Sequence, residues 1–299
     1  MSLTVIGSLA FDSIETPFDK RDEAFGGSAT FFAAAAARFG EVGMVGVVGT
    51  DMPDKNLADL RDLGIDCQGI EVAEGKTFRW GGRYGPDWNT RTTLFTELNT
   101  LETFDPKVPA EYQDSDFVFL ANAAPSVQMK ALEQFTKPRL VVADTMNLWI
   151  DIMRDDLVQL LTKIDGLVLN DEEACMLTGE THLLSAAKKV LELGPSFVVL
   201  KKGEHGAFLI GKDVHFSLPA YPVEQVVDPT GAGDSFAGGF MGYLSSVSNF
   251  QPHTLRRAMV YGTVTASFCV QGFTIEPLAA NDRAAIESRY NEMISFITL

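Results

Sequence analysis

Cysteine and histidine are scarce in this sequence. Its 299 residues include three cysteines, Cys67, Cys175 and Cys269, which are widely spaced and form no metal-ligand pattern. An odd number of cysteines in apolar surroundings predicts buried free thiols in a reducing cytosol rather than a disulfide framework. The four histidines form no close pair, so a histidine-based metal centre is not expected either.

Positive charge and long apolar runs are also scarce. The chain has 24 basic and 40 acidic residues, a formal net charge of −16, which disfavours nucleic acid and anionic membranes as partners. The longest apolar run, residues 31–37, is too short to span a bilayer. No basic region precedes an apolar stretch at the N-terminus, so we expect no signal peptide and a cytoplasmic protein. A phosphate group would then be bound by individual groups within the site, such as backbone amides, a metal ion and a few basic side chains, rather than by a positively charged surface.

The chain also lacks a Pro/Gly/Ser-rich linker and internal repeats, so residues 1–299 are predicted to form a single domain. Short apolar runs predict buried strands at 3–9, 42–48, 117–120, 140–143, 166–169 and 197–200. Helical patterns alternate with them, and three helices are predicted to close the chain, at 233–247, 253–269 and 282–297. This alternation predicts an α/β three-layer sandwich with a mostly parallel central sheet.

Two segments interrupt the alternation. Residues 11–25 are polar with turn-forming types, and residues 76–104 carry threonine and aromatic residues on both sides of a Gly/Pro/Asn-rich turn. The second segment predicts antiparallel strands outside the main sheet. Surface loops without a function are the alternative.

The most informative run is Asp-Pro-Thr-Gly-Ala-Gly-Asp at 228–234, followed by an apolar helical stretch. Small residues that lead into a helix let the backbone approach a ligand, and the first N–H groups of the helix favour an anion. Asp234 can accept a proton from a substrate hydroxyl while these amides hold the charge of a phosphoryl group. We expect the helix N-terminus to lower the pKa of Asp234.

Two other interpretations of this run are simpler. Asp is a common helix cap, so a structural glycine turn is one. Gly233-Asp234-Ser235 as an esterase nucleophile motif is the other, but it lacks a convincing Asp/His partner pair. A near match to a phosphate-binding loop at 206–213 fails, because Asp213 replaces Ser or Thr and 208–210 is predicted as a strand. No Gly-x-Gly-x-x-Gly follows the first strand, so a dinucleotide site is unsupported.

The run at 228–234 resembles the C-terminal signature of the ribokinase/PfkB family of carbohydrate kinases. The N-terminal signature has its counterpart in Gly-Gly-Ser-Ala-Thr-Phe-Phe-Ala at 26–33, Ala-Arg-Phe-Gly at 37–40 and Gly-Val-Val-Gly-Thr-Asp at 46–51. The resemblance implies a ribokinase-like fold in which insertions near 11–25 and 76–104 form a small β lid over the sugar. Lids also serve as dimer faces in this family, so Trp80, Tyr84 and Trp88 are candidates for contact with substrate or with a second subunit.

The resemblance implies ATP-dependent phosphorylation of a hydroxyl on a sugar or related small polyol, with Mg²⁺ as cofactor. A nucleoside kinase of the same family and a non-catalytic sugar or nucleoside sensor are the alternatives. Many relatives carry Asn at the position of Phe31. The phenylalanine therefore removes a polar group that the resemblance would place near the sugar. The acceptor of any one relative therefore cannot be carried over to this chain.

Roles for individual residues follow from the resemblance. Asp234 is the expected base, and the amides of Gly231, Ala232 and Gly233 form the anion hole. The expected acceptor contacts are Asp12, Gly26, Gly27, Asn147 and Asp234. The expected nucleotide contacts are Asn170, Lys201, Gly203, Gly206, Gly231 and Gly233. Glu173 and Asn170 are expected to serve Mg²⁺, and Asp228 and Thr230 form a candidate K⁺ site with the loop at Gly272.

Some of these residues have structural explanations as well. Asn170 with acids in the following turn is also what an ordinary helix start prefers. Asp12 after a strand is an ordinary turn former, and residues 201–206 fit a solvated hairpin turn.

Overall fold

The computed structural model describes residues 2–298. Within that range thirteen strands are numbered in chain order: β1 Leu3–Ile6, β2 Ala10–Glu15, β3 Lys20–Gly26, β4 Val42–Gly49, β5 Ile65–Ala73, β6 Phe78–Tyr84, β7 Arg91–Glu97, β8 Phe117–Leu120, β9 Leu140–Asp144, β10 Gly166–Asn170, β11 Phe197–Lys201, β12 Ala207–Gly211 and β13 His215–Leu218. The same range holds eleven α-helices: α1 Ser28–Ala36, α2 Asp54–Asp62, α3 Pro125–Leu132, α4 Asn147–Ile152, α5 Arg154–Leu161, α6 Asp171–Thr178, α7 Leu183–Glu192, α8 Ala232–Val247, α9 Pro252–Cys269, α10 Glu276–Ala280 and α11 Arg283–Ile297.

Nine strands form the main sheet, in the order β13-β12-β11-β10-β9-β8-β1-β4-β5. All pairings from β5 to β11 are parallel, and β12 and β13 add an antiparallel edge. The predicted α/β fold with a mostly parallel sheet is therefore confirmed. The sequence pattern did not predict β5 or β13, which are short of apolar residues and are half-exposed at the two edges.

Helices cover both faces of this sheet, because its strands bury side chains on both. Val5 belongs to the apolar cluster that includes residues of α1, α8 and α9, whereas the next residue, Ile6, belongs to the cluster that includes residues of α5 and α7. Adjacent strand residues point to opposite faces, so a strand that feeds two cores is apolar throughout. The body has three layers for this reason.

The first strand is shorter than predicted, and its end positions part of the site. β1 ends at Ile6 rather than at residue 9. The Gly7 amide still donates to the Val45 carbonyl at 3.1 Å. The Ser8 and Ser28 hydroxyls then hydrogen-bond at 3.0 Å, which ties this crossing to the start of α1. From residue 10 the chain leaves the main sheet and enters a second one.

The second sheet has four strands, in the order β3-β2-β6-β7, and we call it the lid. Its members come from the two segments that interrupt the strand–helix alternation, and β6 and β7 are antiparallel as predicted. The segment at 11–25 also forms strands, as the family resemblance implied, although its polar composition alone gave no strand pattern. Its residues Lys20, Arg21 and Asp22 are exposed, so no apolar alternation was present to reveal β3.

One face of the lid packs on the body. Ile14, Trp80 and Tyr84 of the lid form a small apolar cluster with Phe273 of the body. Trp80 and Tyr84 are therefore buried, whereas β7 is exposed along its whole length. The prediction that Trp80 and Tyr84 could meet a second subunit is wrong for this reason.

The remaining sequence predictions concern thiols and membranes. Cys67 and Cys269 are buried free thiols as predicted, whereas Cys175 is half-exposed. Burial raises the pKa of Cys67 to about 11, and a buried thiol of this kind is unreactive. No helix between residues 2 and 298 is long and apolar enough to cross a membrane.

Candidate active site

The turn at 228–234 leads directly into α8. Gly231 caps the helix with φ 74°, a left-handed conformation that favours glycine. A side chain there would also collide with the ring of Phe31. The Ala232 amide donates to the Pro229 carbonyl at 3.1 Å, so an anion would have to share that amide. The backbone conformation of the turn and its packing on Phe31 are therefore enough to require glycine at position 231.

Asp234 lies in the first turn of α8 and is surrounded by charged groups. Burial is the largest influence and raises the pKa of Asp234, whereas Lys201 and Arg91 lower it. The expectation of a lowered pKa is wrong, because the cost of removing the carboxylate of this half-buried residue from water outweighs the other influences. A carboxylate with a raised pKa is a stronger base than an exposed one.

Asp144 is a site residue that the sequence reasoning missed. It is the last residue of β9 and is only 4% exposed. Burial and the charge of Asp234 raise the pKa of Asp144 well above its usual range. The raised pKa favours the protonated form of Asp144, which can donate a hydrogen bond to Asp234 and lower the pKa of that carboxyl. The sequence feature that could have identified Asp144 is its place at the carboxyl end of a predicted parallel strand, because ligands of α/β sheets bind there.

Lys201 brings a positive charge to these carboxyls. It ends β11 beside Asn170 of β10. A methyl group on Gly233 would lie 2.6 Å from the Lys201 Nζ, which places the ammonium directly against the start of α8. Lys201 lowers the pKa of both Asp144 and Glu173. The predicted nucleotide lysine thus lies at the predicted anion hole.

Asn170 and Glu173 form a capping box at the start of α6. The Glu173 amide donates to Asn170 Oδ1 at 2.7 Å, and the Asn170 amide donates to Glu173 Oε2 at 2.8 Å. The capping interpretation is therefore correct as structure. Burial raises the pKa of Glu173, which is 8% exposed.

The donor set limits which metal could bind here. Within residues 2–298, no group of three or more histidine, cysteine or acidic side chains could hold a metal ion. A single buried carboxylate fits Mg²⁺, which keeps several waters and needs one or two protein ligands besides phosphate oxygens. Zn²⁺ or Ca²⁺, which require more protein ligands, fit the site poorly.

Asp12 projects from the lid into the same region. It is 5% exposed, and burial together with the charge of Asp228 raises the pKa of Asp12 to about 8. The Gly27 amide donates to this carboxyl and lowers the pKa. A side chain on Gly26 would collide with the same carboxyl, and Gly27 has φ 99°. Three predicted acceptor residues, Asp12, Gly26 and Gly27, are therefore in contact.

The candidate cation residues connect the body to the lid. Asp228 Oδ1 accepts from the Thr230 amide at 2.9 Å, and the Thr230 hydroxyl donates to the Tyr84 hydroxyl at 3.1 Å. Asp228 Oδ2 is buried without a hydrogen-bond partner in the described chain. Burial raises the pKa of Asp228 to about 6. A buried carboxylate oxygen without a donor fits a bound cation.

The predicted nucleotide turn follows β11. Gly203 and Gly206 have φ 54° and 82°, and the Lys202 amide donates to the Gly206 carbonyl at 2.8 Å. The tip of the lid reaches this turn, because Asn89 Nδ2 donates to Glu204 Oε1 at 3.2 Å. Residues 201–206 therefore do form a hairpin turn between the antiparallel strands β11 and β12. The turn is also in contact with the lid.

Two further residues from the sequence analysis, Asn147 and Ser235, lie apart from the acceptor residues or are inaccessible. Asn147, the first residue of α4, is exposed, and its Oδ1 accepts from the Leu148 amide at 3.1 Å. The described contacts do not bring it to Asp12 or Asp234. Ser235 is 0% exposed, and a buried hydroxyl cannot serve as the exposed nucleophile of an esterase.

Comparison with known proteins identifies the family of this chain. Residues 5–274 match the family described as pfkB family carbohydrate kinase. A cytidine kinase of Thermococcus kodakarensis is 30% identical over 247 residues, which are 81% of this chain and 87% of that protein.

Solved structures share the fold. The nucleoside kinase of Burkholderia thailandensis in complex with inosine has a TM-score of 0.80 at 22% identity, over 98% of this chain and 99% of that one. An E. coli structure with ATP and Mg²⁺, under the name ribokinase II, has a TM-score of 0.78 at 22% identity, over 97% and 99% of the two chains.

Proposed function

Because this chain belongs to the pfkB family of carbohydrate kinases, we propose that it transfers the γ-phosphoryl group of ATP to a hydroxyl of a nucleoside. Its reaction class is phosphoryl transfer to an alcohol group. The observation that carries the assignment is Asp234, half-buried in the first turn of α8, where both the Asp144 carboxyl and the Lys201 ammonium act on its carboxylate. Nucleosides are favoured within the class because the cytidine kinase is 30% identical over most of both chains. Sugars without a base are the second candidates.

In the proposed reaction, Asp234 accepts the hydroxyl proton as the hydroxyl oxygen attacks the γ-phosphorus. The bond between that phosphorus and the β–γ bridging oxygen breaks, and ADP leaves with the bonding electrons. The amides of Gly231 and Gly233 stabilise the charge on the moving phosphoryl group, with the Ala232 amide shared. The Asp144 proton, donated to Asp234, keeps the base ionised in a buried site.

Nucleotide binding is proposed at the carboxyl ends of β10 and β11. The Lys201 ammonium lies at the start of α8, where it can reach the phosphates as a point charge. Asn170, Gly203 and Gly206 complete the proposed nucleotide site. Mg²⁺ would be held through Glu173 and its waters, and when bound it would neutralise phosphate charge.

The acceptor is proposed to bind between the lid and α8. Asp12, beside Gly26 and Gly27, faces the region of Asp234 and can hydrogen-bond a diol. Phe31, 2% exposed and packed on Gly231, supplies an apolar wall where an amide is common in relatives. Asn147 remains a predicted acceptor contact that would require movement of α4 or of its side chain.

We also propose a monovalent-cation site at Asp228 and Thr230. Its support is the buried Asp228 Oδ2 without a donor. The Gly272 loop lies nearby in the fold, since the Val227 amide donates to the Val270 carbonyl at 2.8 Å. A cation there would stabilise the turn that aims the Gly231 and Gly233 amides.

Residues 1–299 are proposed to form one domain in the cytoplasm, with a homodimer through the lid. The exposed strand β7 carries Leu94 and Phe95, which are 41% and 39% exposed. An exposed edge strand with apolar side chains can pair with a second copy. Light scattering of the purified protein measures this state.

The function is tested by ADP release across a panel of acceptors, with cytidine, uridine, inosine, adenosine, ribose, deoxyribose and fructose. We expect ATP- and Mg²⁺-dependent turnover that is highest with a nucleoside. Turnover that is higher with a free sugar would contradict the nucleoside assignment. Tight binding of a panel member without turnover would favour a non-catalytic sensor.

A further inference from the structure

The pairing of β6 with β7 fixes which arginine of the lid faces the site. In this antiparallel pair Tyr84 lies opposite Arg91, and Arg83 lies opposite Thr92. Directly opposed residues share a face of the sheet, and successive residues alternate. Tyr84 is on the inner face, where its hydroxyl accepts from Thr230. Arg91 is therefore on the inner face too, and Arg83 is on the outer one.

Arg91 differs from the other two arginines of this hairpin in its partners. Arg79 pairs with Asp51 at 2.8 Å and with Glu23 at 3.0 Å, and Arg83 pairs with Glu15 at 2.7 Å. Within residues 2–298, no carboxylate lies within ion-pair distance of Arg91.

The Arg91 guanidinium instead lies over the ring of Trp80, 5.5 Å from its centroid. Stacking on an aromatic ring orients a guanidinium and leaves its N–H donors free to bind an anion. An unpaired cation held in this way suits a ligand better than it suits the stability of the lid.

The charge of Arg91 reaches the body. It lowers the pKa of both Asp234 and Glu173, the proposed base and the proposed Mg²⁺ residue. Lys201 acts on the same two groups from the end of β11. The space beside the two carboxyls thus has a cation from the body and a cation from the lid, as a group bearing several negative charges would require.

We propose that Arg91 is a catalytic residue, whose guanidinium contacts the oxygens of the phosphoryl group as it passes from ATP to the acceptor hydroxyl. This inference rests on the proposed function. Because Arg91 belongs to the lid, full stabilisation of the transferring group requires the lid to be seated on the body. Phosphoryl transfer to water, which needs no acceptor under the lid, is disfavoured as a consequence.

The test compares R91A and R91K with R83A, a matched variant that removes an arginine from the outer face of the same hairpin. Steady-state rates are measured with the best acceptor of the panel, and thermal unfolding checks the lid and body. We expect kcat of R91A to fall on the order of 10²-fold, with the KM of the acceptor changed much less. R91K should recover part of the loss, R83A should stay within about twofold of the unsubstituted chain, and added guanidinium should raise the rate of R91A.

Other outcomes would overturn the inference. A kcat of R91A within twofold of that of R83A would show that Arg91 does not contact the reacting group. A loss confined to the KM of the acceptor would make Arg91 a substrate-binding residue instead. If R91A does not fold, R91K and R83A carry the comparison, and equal kcat values in those two would reject the proposal. Absence of turnover in the unsubstituted chain and R83A alike would contradict the proposed function, which is a distinguishable result.

Discussion

The body and the lid of this kinase are stabilised by different interactions. The nine-stranded sheet of the body is covered on both faces by large apolar clusters, and strand β4 is buried along its whole length. The lid has one small apolar cluster, in which Phe273 of the body takes part. Ion pairs also join its strands, such as Arg83 with Glu15 on its outer face. Strand β7 is exposed throughout.

This difference separates two tasks in one site. Burial on all sides holds the body rigidly, so that groups such as Asp234 and Lys201 keep the geometry that phosphoryl transfer needs. A sheet with few buried apolar contacts opens at lower free energy, which suits the part that must admit and release the acceptor. Asp12 and Arg91 are lid residues, so closure of the lid would complete the proposed site.

The largest expected effect is in the body. D234N should lower kcat by roughly 10²–10⁴-fold, because the amide cannot accept the hydroxyl proton. ATP affinity and the melting temperature should change little, because Asn has nearly the same size and shape as Asp. D213N, which changes an exposed acid between β12 and β13, is the control. A kcat of D234N equal to that of D213N would remove Asp234 from the reaction.

The body was also the part that the sequence predicted best. Apolar runs predicted six of the nine strands of the main sheet, and the fragment 208–210 predicted β12, because a strand buried on both faces is apolar at successive positions. In the lid, β3 is exposed and charged, so its apolar pattern indicated no strand, and only the family resemblance implied that this segment belongs to the lid. Antiparallel β6 and β7 were predicted because their aromatic and threonine residues flank a turn.

Site residues followed a similar division. The turn at 228–234 was predicted because its conformational demands are local, as the left-handed Gly231 shows. Asp144 and Arg91 were not, because each owes its proposed role to a contact between elements: Asp144 to Asp234, and Arg91 to its place opposite Tyr84. The spacing of residues along the sequence does not show which charged side chains of different strands and helices will lie close together.

The second expected effect is on stability and concerns Asp12, where the lid meets the body. Its pKa is about 8 in the folded chain against 3.8 ordinarily, so the folded chain binds an extra proton between these values. The stability from this proton is complete below the unfolded pKa and is lost as the pH rises through 8. We expect the unfolding free energy of the empty protein to fall between pH 5 and 8, by up to about 1.4 kcal/mol per pH unit for this group.

D12N removes this contribution, so its unfolding free energy should depend less on pH over the same range. D22N, which changes an exposed acid of β3, should keep the original dependence. Denaturant unfolding at four pH values between 5 and 8 measures the slopes. The same slope in all three proteins would mean that Asp12 is ionised in the folded chain and that the lid opens around it.

The third effect concerns the metal. E173Q should raise the Mg²⁺ concentration for half-maximal rate by roughly tenfold, because a neutral amide holds the waters of the ion less well. Its neighbour Glu172 is exposed, so E172Q is a matched control that keeps the start of α6. Titration of Mg²⁺ at fixed ATP gives the comparison. An unchanged Mg²⁺ requirement in E173Q would leave the capping box as the whole role of Glu173.

The smallest expected effect is a few-fold activation by K⁺. It concerns the turn at 228–234, where the body contacts the lid. A cation beside Asp228 Oδ2 would hold the turn that aims the Gly231 and Gly233 amides and that also bonds to Tyr84 of the lid. Since the pKa of Asp228 is about 6, protons compete with the cation at low pH. The ratio of the rates in K⁺ and in tetramethylammonium at equal ionic strength should therefore rise from pH 5 to pH 8. Equal rates in both salts across this range would mean that Asp228 is held by the Thr230 amide alone, and that the geometry of the turn needs no ion.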